Sequence, residues 1–273
     1  MHGAPPPSLL ARLYRALVER GQALVRWARN WWGLLFIGAQ VIVLALSPSS
    51  YNAGSNRRVI KQIYLATAPG LRSFTLLMAL FNVVIIRILV TTASSYGLSG
   101  YALNVVVRTL VLELIPLTAA LFVAIQYSVP GGNELFKTRR ARLQSGERVN
   151  PHHLLGLEVL PRVLAGVFAV SFLGLLSALI SLVLAYLIIY GPNHWGMLPY
   201  TRVVGQIFNP PTSLIFVLKT WLFALIVAVL PVGAAMQDWP RGTSRTSVEL
   251  QGLVRMLALL LVVEVVSLIG NYY

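Results

Sequence analysis

Apolar residues in this chain come in long blocks rather than at the 3.6-residue spacing of a surface helix. Five blocks stand out: Phe74 to Ala93, Ala102 to Tyr127, Val163 to Tyr190, Thr212 to Met236 and Gly252 to Gly270. At ~1.5 Å per residue each is long enough to cross a ~30 Å hydrocarbon core as a helix. A sixth block, Trp31 to Leu46, is marginal by length. Ahead of it Leu10, Leu13, Leu17 and Leu24 recur at helical spacings among Arg12, Arg15, Arg20, Arg26 and Arg29. That pattern predicts an amphipathic helix on a membrane surface, beginning after Pro5, Pro6 and Pro7.

Basic residues decide what the marginal block does. With a cytoplasmic N-terminus and a block that does not span, the cytoplasmic side collects Arg12 through Arg29, Arg57, Arg58 and Lys61. It also collects Lys137, Arg139, Arg140, Arg142, Arg148, Arg162, Arg241 and Arg245. The outer side keeps Arg202, and Arg108 falls inside the second long block. A spanning first block would reverse this asymmetry against the positive-inside rule. The expected fold is therefore all-α integral membrane. An N-terminal interfacial amphipathic helix and re-entrant segment occupies 1–50, and five transmembrane helices occupy 51–273. The polar, basic stretch 128–162 is expected to be a cytoplasmic loop, with Pro130-Gly131-Gly132 ending the helix before it. Gly191–Pro211 is the main outer loop, Gln237–Glu249 a short cytoplasmic connection, and the C-terminus lies outside.

Composition narrows the function. Only 11% of the 273 residues are charged, against roughly 25% in a soluble domain. A net charge of +14 suits cytoplasmic loops on anionic lipid better than nucleic acid, since no aromatic-basic motif accompanies it. No cysteine means no disulfide, thiolate nucleophile or Cys-ligated metal. No GxxxxGK[ST] motif is present, so ATP is not bound here by a P-loop. The first apolar block follows an Arg-rich stretch and lacks a small-residue cleavage site, so no cleavable signal peptide is expected.

Candidate chemistry sits inside the spans. Arg87, Glu113, Lys219 and Glu264 each cost about 2.5 kcal/mol or more in mid-membrane, so each should face protein or water. All four fall at the middle or outer level, and their charges cancel. Two readings follow: structural ion pairs between helices, or a polar site in an outward cavity that receives a lipid headgroup. The adjacent His152 and His153 point to different helix faces with no acidic cluster nearby, which argues against a metal site. No Ser/His/Asp arrangement can be drawn, because every histidine lies in a tail or loop. Gly174, Ser177, Ala178 and Ser181 give small-residue spacing for close helix packing.

The second block and its sequel resemble the MlaE (YrbE) permease family. Leu112-Glu113-Leu114-Ile115-Pro116-Leu117-Thr118-Ala119-Ala120-Leu121 is similar to that family's ELGPVLTALL stretch. Glu134-Leu135 falls at its second Glu-Leu, and Pro161-Arg162-Val163-Leu164-Ala165-Gly166 looks like its PRVLAG helix start. Arg58 to Tyr64 looks like the entry to the first span, and Lys219 stands where a family lysine is found. Departures include Leu112 for an arginine, Ala124 to Val129 for the AGRxGS segment, and a basic Ala141-Arg142-Leu143 for an acidic coupling helix. They fit a divergent subunit of a heteromeric permease.

The resemblance implies a transport subunit, not an enzyme. It would be the permease of an ABC transporter moving phospholipids between the inner membrane and an MCE-domain protein. Glu113, Lys219, Arg87 and Glu264 would bind substrate. Glu134, Lys137, Arg139, Arg140 and Arg142 would couple to a cytoplasmic ATPase, which would carry the ATP and Mg; this chain would need no cofactor. A second permease subunit, identical or not, would complete the dimer. The rival reading is a secondary transporter using the four intramembrane charges as a proton relay.

Overall fold

The computed structural model describes residues 31–48, 53–145, 154–236 and 245–272. The amphipathic stretch 1–30, the pair His152-His153 and most of the 237–249 connection lie outside them. Among the described residues there are helices and turns and no strand. In chain order they are α1 (Trp31–Leu46), α2 (Ala53–Ser95), α3 (Ser99–Gln144), α4 (Leu155–Tyr190), α5 (Met197–Ile207), α6 (Pro210–Met236) and α7 (Arg245–Tyr272). Five of them, α2, α3, α4, α6 and α7, are long and apolar enough to cross a membrane. At ~1.5 Å per residue α1 reaches only ~24 Å, short of a ~30 Å core.

Two helices far outrun the bilayer. The 43 residues of α2 and the 46 of α3 correspond to about 65–70 Å of helix. Arg57, Arg58 and Lys61, expected in a loop, stand exposed on the first turns of α2. The second correction concerns Pro130-Gly131-Gly132, which does not end α3: helix continues from Val129 to Gln144. The stretch expected as a loop is thus helical at both ends, through Gln144 and again from Leu155.

The physical reason lies in the turn before the proline. A proline lacks the N–H of the ladder and its ring meets the carbonyl four residues back, which in a regular helix costs ~3 kcal/mol or more. A wide π turn shifts the ladder to i−5 and relieves both problems. Three prolines follow this rule. Val107–Leu114 is π-helical ahead of Pro116, Ala124–Ser128 ahead of Pro130, and Leu155–Val159 ahead of Pro161. In each case the proline stands two residues past the wide segment.

Packing is organised around α3, where 56% of the most apolar stretch is buried, against 17% in α7. Its buried face includes Val107, Leu110, Val111, Ile115 and Ala119. These pack with Phe74, Met78 and Ile86 of α2, Leu173 of α4, Phe223 of α6 and Met256 of α7 in one core. Phe74 and Phe122 meet at 4.6 Å between ring centroids. Small residues let backbones close in, as expected where lipid supplies no hydrophobic drive between helices. A Cβ on Gly166 would lie 3.0 Å from that of Ala228, and Gly174 faces Ala119. A second cluster, at the 145–154 end, joins Val41 of α1, Leu135, Val159, Leu160 and Val232. At the other end α5 docks through Tyr200, whose hydroxyl donates to the Leu182 carbonyl at 2.9 Å and whose ring meets Tyr186 edge-on. The outward faces carry Leu77, Leu80, Leu179, Val217 and Val265, as a lipid-facing surface requires.

Gly132 marks the tightest crossing of α3 and α6. A Cβ there would sit 2.7 Å from the Pro231 carbonyl oxygen, whereas one on Gly131 would meet nothing within 4 Å. Gly132→Ala is therefore expected to destabilise the fold by about 1–3 kcal/mol. Gly131→Ala should be neutral or stabilising by up to about 1 kcal/mol through helix propensity. Thermal unfolding of the two purified variants in one detergent checks this; equal midpoints would mean the crossing is loose.

Candidate functional site

Three of the four intramembrane charges meet in one place. Lys219 of α6 is 2% exposed and lies between Glu113 of α3 and Glu264 of α7. Its ammonium is bonded directly to Glu113 Oε2 and lies 2.8 Å from Glu264 Oε2. The cluster links three helices, and its formal charge is one negative: two carboxylates about one ammonium. The Asn271 amide donates to Glu113 Oε1 at 3.1 Å, giving the same carboxylate a second partner. The Phe223 ring lies 5.7 Å from the ammonium and closes one side.

Local sequence prepares the lysine's remaining contact. In an α-helix the Leu112 carbonyl would accept from the N–H of residue 116, which is a proline and has none. Lys219 Nζ donates to that carbonyl at 3.4 Å. The wide turn Val107–Leu114 holds Glu113 beside that carbonyl. On α7, Glu264, Ser267 and Asn271 stand at i, i+3 and i+7 on one face. Ser267 Oγ and Asn271 Oδ1 are buried without a hydrogen-bond partner in the protein. The cluster therefore keeps free polar capacity toward the α7 C-terminus.

Depth follows from chain position. Lys219 is nine residues into α6 and Glu264 eight residues before the end of α7, so both lie roughly 12–14 Å from the 191–209 end. Arg87 does not join them. It is exposed on α2 and has no ion-pair partner among the described residues. Arg108 is held by its own helix, donating to Asn104 Oδ1 at 3.1 Å.

At the opposite end, most of the coupling candidates are committed within the chain. Arg139 donates to the carbonyls of Ala235 and Met236 at 3.4 and 2.5 Å, capping the described end of α6, where a cation also meets the helix dipole. Arg142 pairs with Glu158 at 3.0 Å, and Arg162 lies 3.9 Å from both Glu134 and Glu158. This network ties the tail of α3 to the head of α4. Lys137 and Arg140 remain, exposed and one turn apart on α3.

One participant escapes a search of the sequence for charges in the membrane: Asn271, which carries none. The i, i+7 spacing of Asn271 from Glu264 is the signal that points to it.

Among the described residues, then, five membrane-length helices enclose a buried lysine–dicarboxylate cluster in one half of the bundle. The chain belongs to the MlaE permease family: the family model described as Permease MlaE matches residues 59–269. That membership supports an ABC-type permease role in lipid transport. No match was found among curated proteins.

Removing one member of a buried ion cluster typically costs about 3–5 kcal/mol, because the others are left buried and unpaired. Lys219→Met is therefore expected to be the most damaging single change, since it leaves two carboxylates facing each other. Adding Glu113→Gln to it should restore part of the loss, with a coupling of about 0.5–3 kcal/mol. A double-mutant cycle on thermal stability in detergent measures this, and strictly additive losses would show that the two groups do not interact.

Proposed function

We propose that the chain is the permease subunit of an ABC transporter that moves phospholipids between the inner membrane and an MCE-domain protein, driven by a separate ATPase subunit. The Lys219 cluster is the observation that carries this reading beyond the family. It sets an ammonium, two carboxylates and free amide and hydroxyl oxygens at one depth, a set able to exchange its internal partners for a zwitterionic or anionic headgroup. Glu113, Lys219 and Glu264 are its core, and Asn271 and Ser267 extend it toward the 191–209 end. Arg87 would contribute from outside the subunit core, on a face open to lipid or to a second permease subunit.

Charge gives the orientation. Exposed Arg57, Arg58, Lys61, Lys137 and Arg140 crowd the 145–154 end, while Arg202 stands alone in the 191–209 segment. The positive-inside rule then makes the first end cytoplasmic and the C-terminus periplasmic. In this arrangement the ATPase docks on the tail of α3 and the MCE partner on the other side. Lys137 and Arg140 supply the free cations for the ATPase contact, while Arg139, Arg142 and Glu134 shape the surface that presents them.

Two measurements test this. Lys137→Glu with Arg140→Glu should abolish co-purification of the ATPase and leave thermal stability near the unmodified value; Arg142→Glu should lower stability as well. Recovery of an intact complex from the double reversal would remove the docking role. Lipid transfer by the reconstituted complex should require ATP and survive a protonophore, whereas transfer lost with the proton gradient would favour the relay mechanism. A reporter fused after Tyr273 should read as periplasmic; a cytoplasmic signal would overturn the orientation.

A further inference from the structure

An apolar groove of about 290 Å³ opens between α1, α6 and α7, about two turns along α6 from Lys219 toward the 145–154 end. Leu35, Gly38 and Ala39 of α1, Ile226 and Val229 of α6, and Leu259 of α7 line it, with almost no polar surface. One turn before Leu259, on the same face of α7, stands Arg255. Arg255 is partly buried and has neither an ion-pair nor a hydrogen-bond partner among the described residues. A cation so placed in the membrane is costly by about 2.5 kcal/mol or more unless an anion meets it. Lys219, which is fully buried, has two carboxylates from its own chain; Arg255 has none among the described residues.

Register fixes the order of the two features. Gly252 faces Ala234 across the contact of α6 and α7 at 3.8 Å. The antiparallel run then sets Arg255 level with about residue 231, at the rim of the groove nearer the 145–154 end. The groove's Val229 and Ile226 lie deeper. A phospholipid of that leaflet has the same polarity: phosphate toward the surface, acyl chain inward. A guanidinium is also the side chain best shaped for a phosphate, which it can grip with two parallel hydrogen bonds. We infer that this groove seats one acyl chain of an anionic phospholipid whose phosphate is held by Arg255, as a bound lipid distinct from the transported one. The site depends on the chain being in a membrane and not on the direction or partners of transport.

The test uses the full chain in phosphatidylcholine vesicles carrying a trace of phosphatidylglycerol with a diazirine on one acyl chain, followed by photolysis and peptide mapping. Adducts should concentrate on α1 and α6 at the groove. Arg255→Gln should reduce them about tenfold, the equivalent of one charge-assisted hydrogen bond, and Arg255→Lys should reduce them less. Ala39→Trp fills the groove from an exposed position and should remove the adduct while leaving thermal stability unchanged. A phosphatidylcholine probe should label the groove weakly. Equal labelling by both probes, labelling unaffected by Arg255→Gln and Ala39→Trp, adducts spread evenly over the lipid-facing sides of α2 and α4, or crosslinks from the groove to a second copy of the chain would each overturn the assignment. ATP-driven transfer lost with the groove still labelled would count against the transport reading alone.

Discussion

A lysine ammonium held away from water between two carboxylates sets the terms for this bundle. The desolvation of three charged groups is offset only if the partners on α3, α6 and α7 stay in contact, because each group is expensive alone. The cluster therefore fixes the rotation of three helices at once. It draws on a wide helical turn to place Glu113 and on an asparagine near the end of α7 to give that carboxylate its second partner. Around it the packing is apolar and built on small residues, so the polar contacts specify which faces meet while van der Waals contact holds them together.

The same cluster is suited to change. Its formal charge is not zero, and buried oxygens of Ser267 and Asn271 lack partners in the protein. A headgroup entering from the 191–209 side would find both positive and negative anchors already in place. At the other end, among the described residues, Arg139 caps α6 and Arg142, Arg162, Glu134 and Glu158 pair across α3 and α4, with Lys137 and Arg140 left on the surface.

The bilayer made much of this legible. Its thickness forces spans of about 20 apolar residues, so the five crossing helices stand out in the hydropathy of the chain. Its low dielectric makes each intramembrane charge conspicuous, which is why Glu113, Lys219 and Glu264 could be singled out. The same reasoning included Arg87, because cost alone says that a charge needs company and not which face of its helix it occupies. The polar tail of α3 was hidden for the opposite reason. Beyond the membrane no apolar run marks a helix, and Pro130-Gly131-Gly132 carries the local signature of a break. Only the wide turn at Ala124–Ser128 and the close approach of Pro231 show why those residues suit a continuous helix. Asn271 was silent because an amide has no charge to draw notice.

The continuity of α3 has a mechanical consequence. From Glu113 to Arg140 the chain is one rod of 27 steps, roughly 40 Å at the helical rise. It joins the polar cluster in one half of the membrane to the exposed cations at the far end. A rod cannot be pushed at one tip without moving the other, so torque applied at Arg140 is delivered to the carboxylate of Glu113 as a tilt. The two π turns, at Val107–Leu114 and Ala124–Ser128, are its compliant joints, one at the load and one midway. Their stiffness, more than the strength of any single contact, sets how much of an applied stroke reaches the lysine.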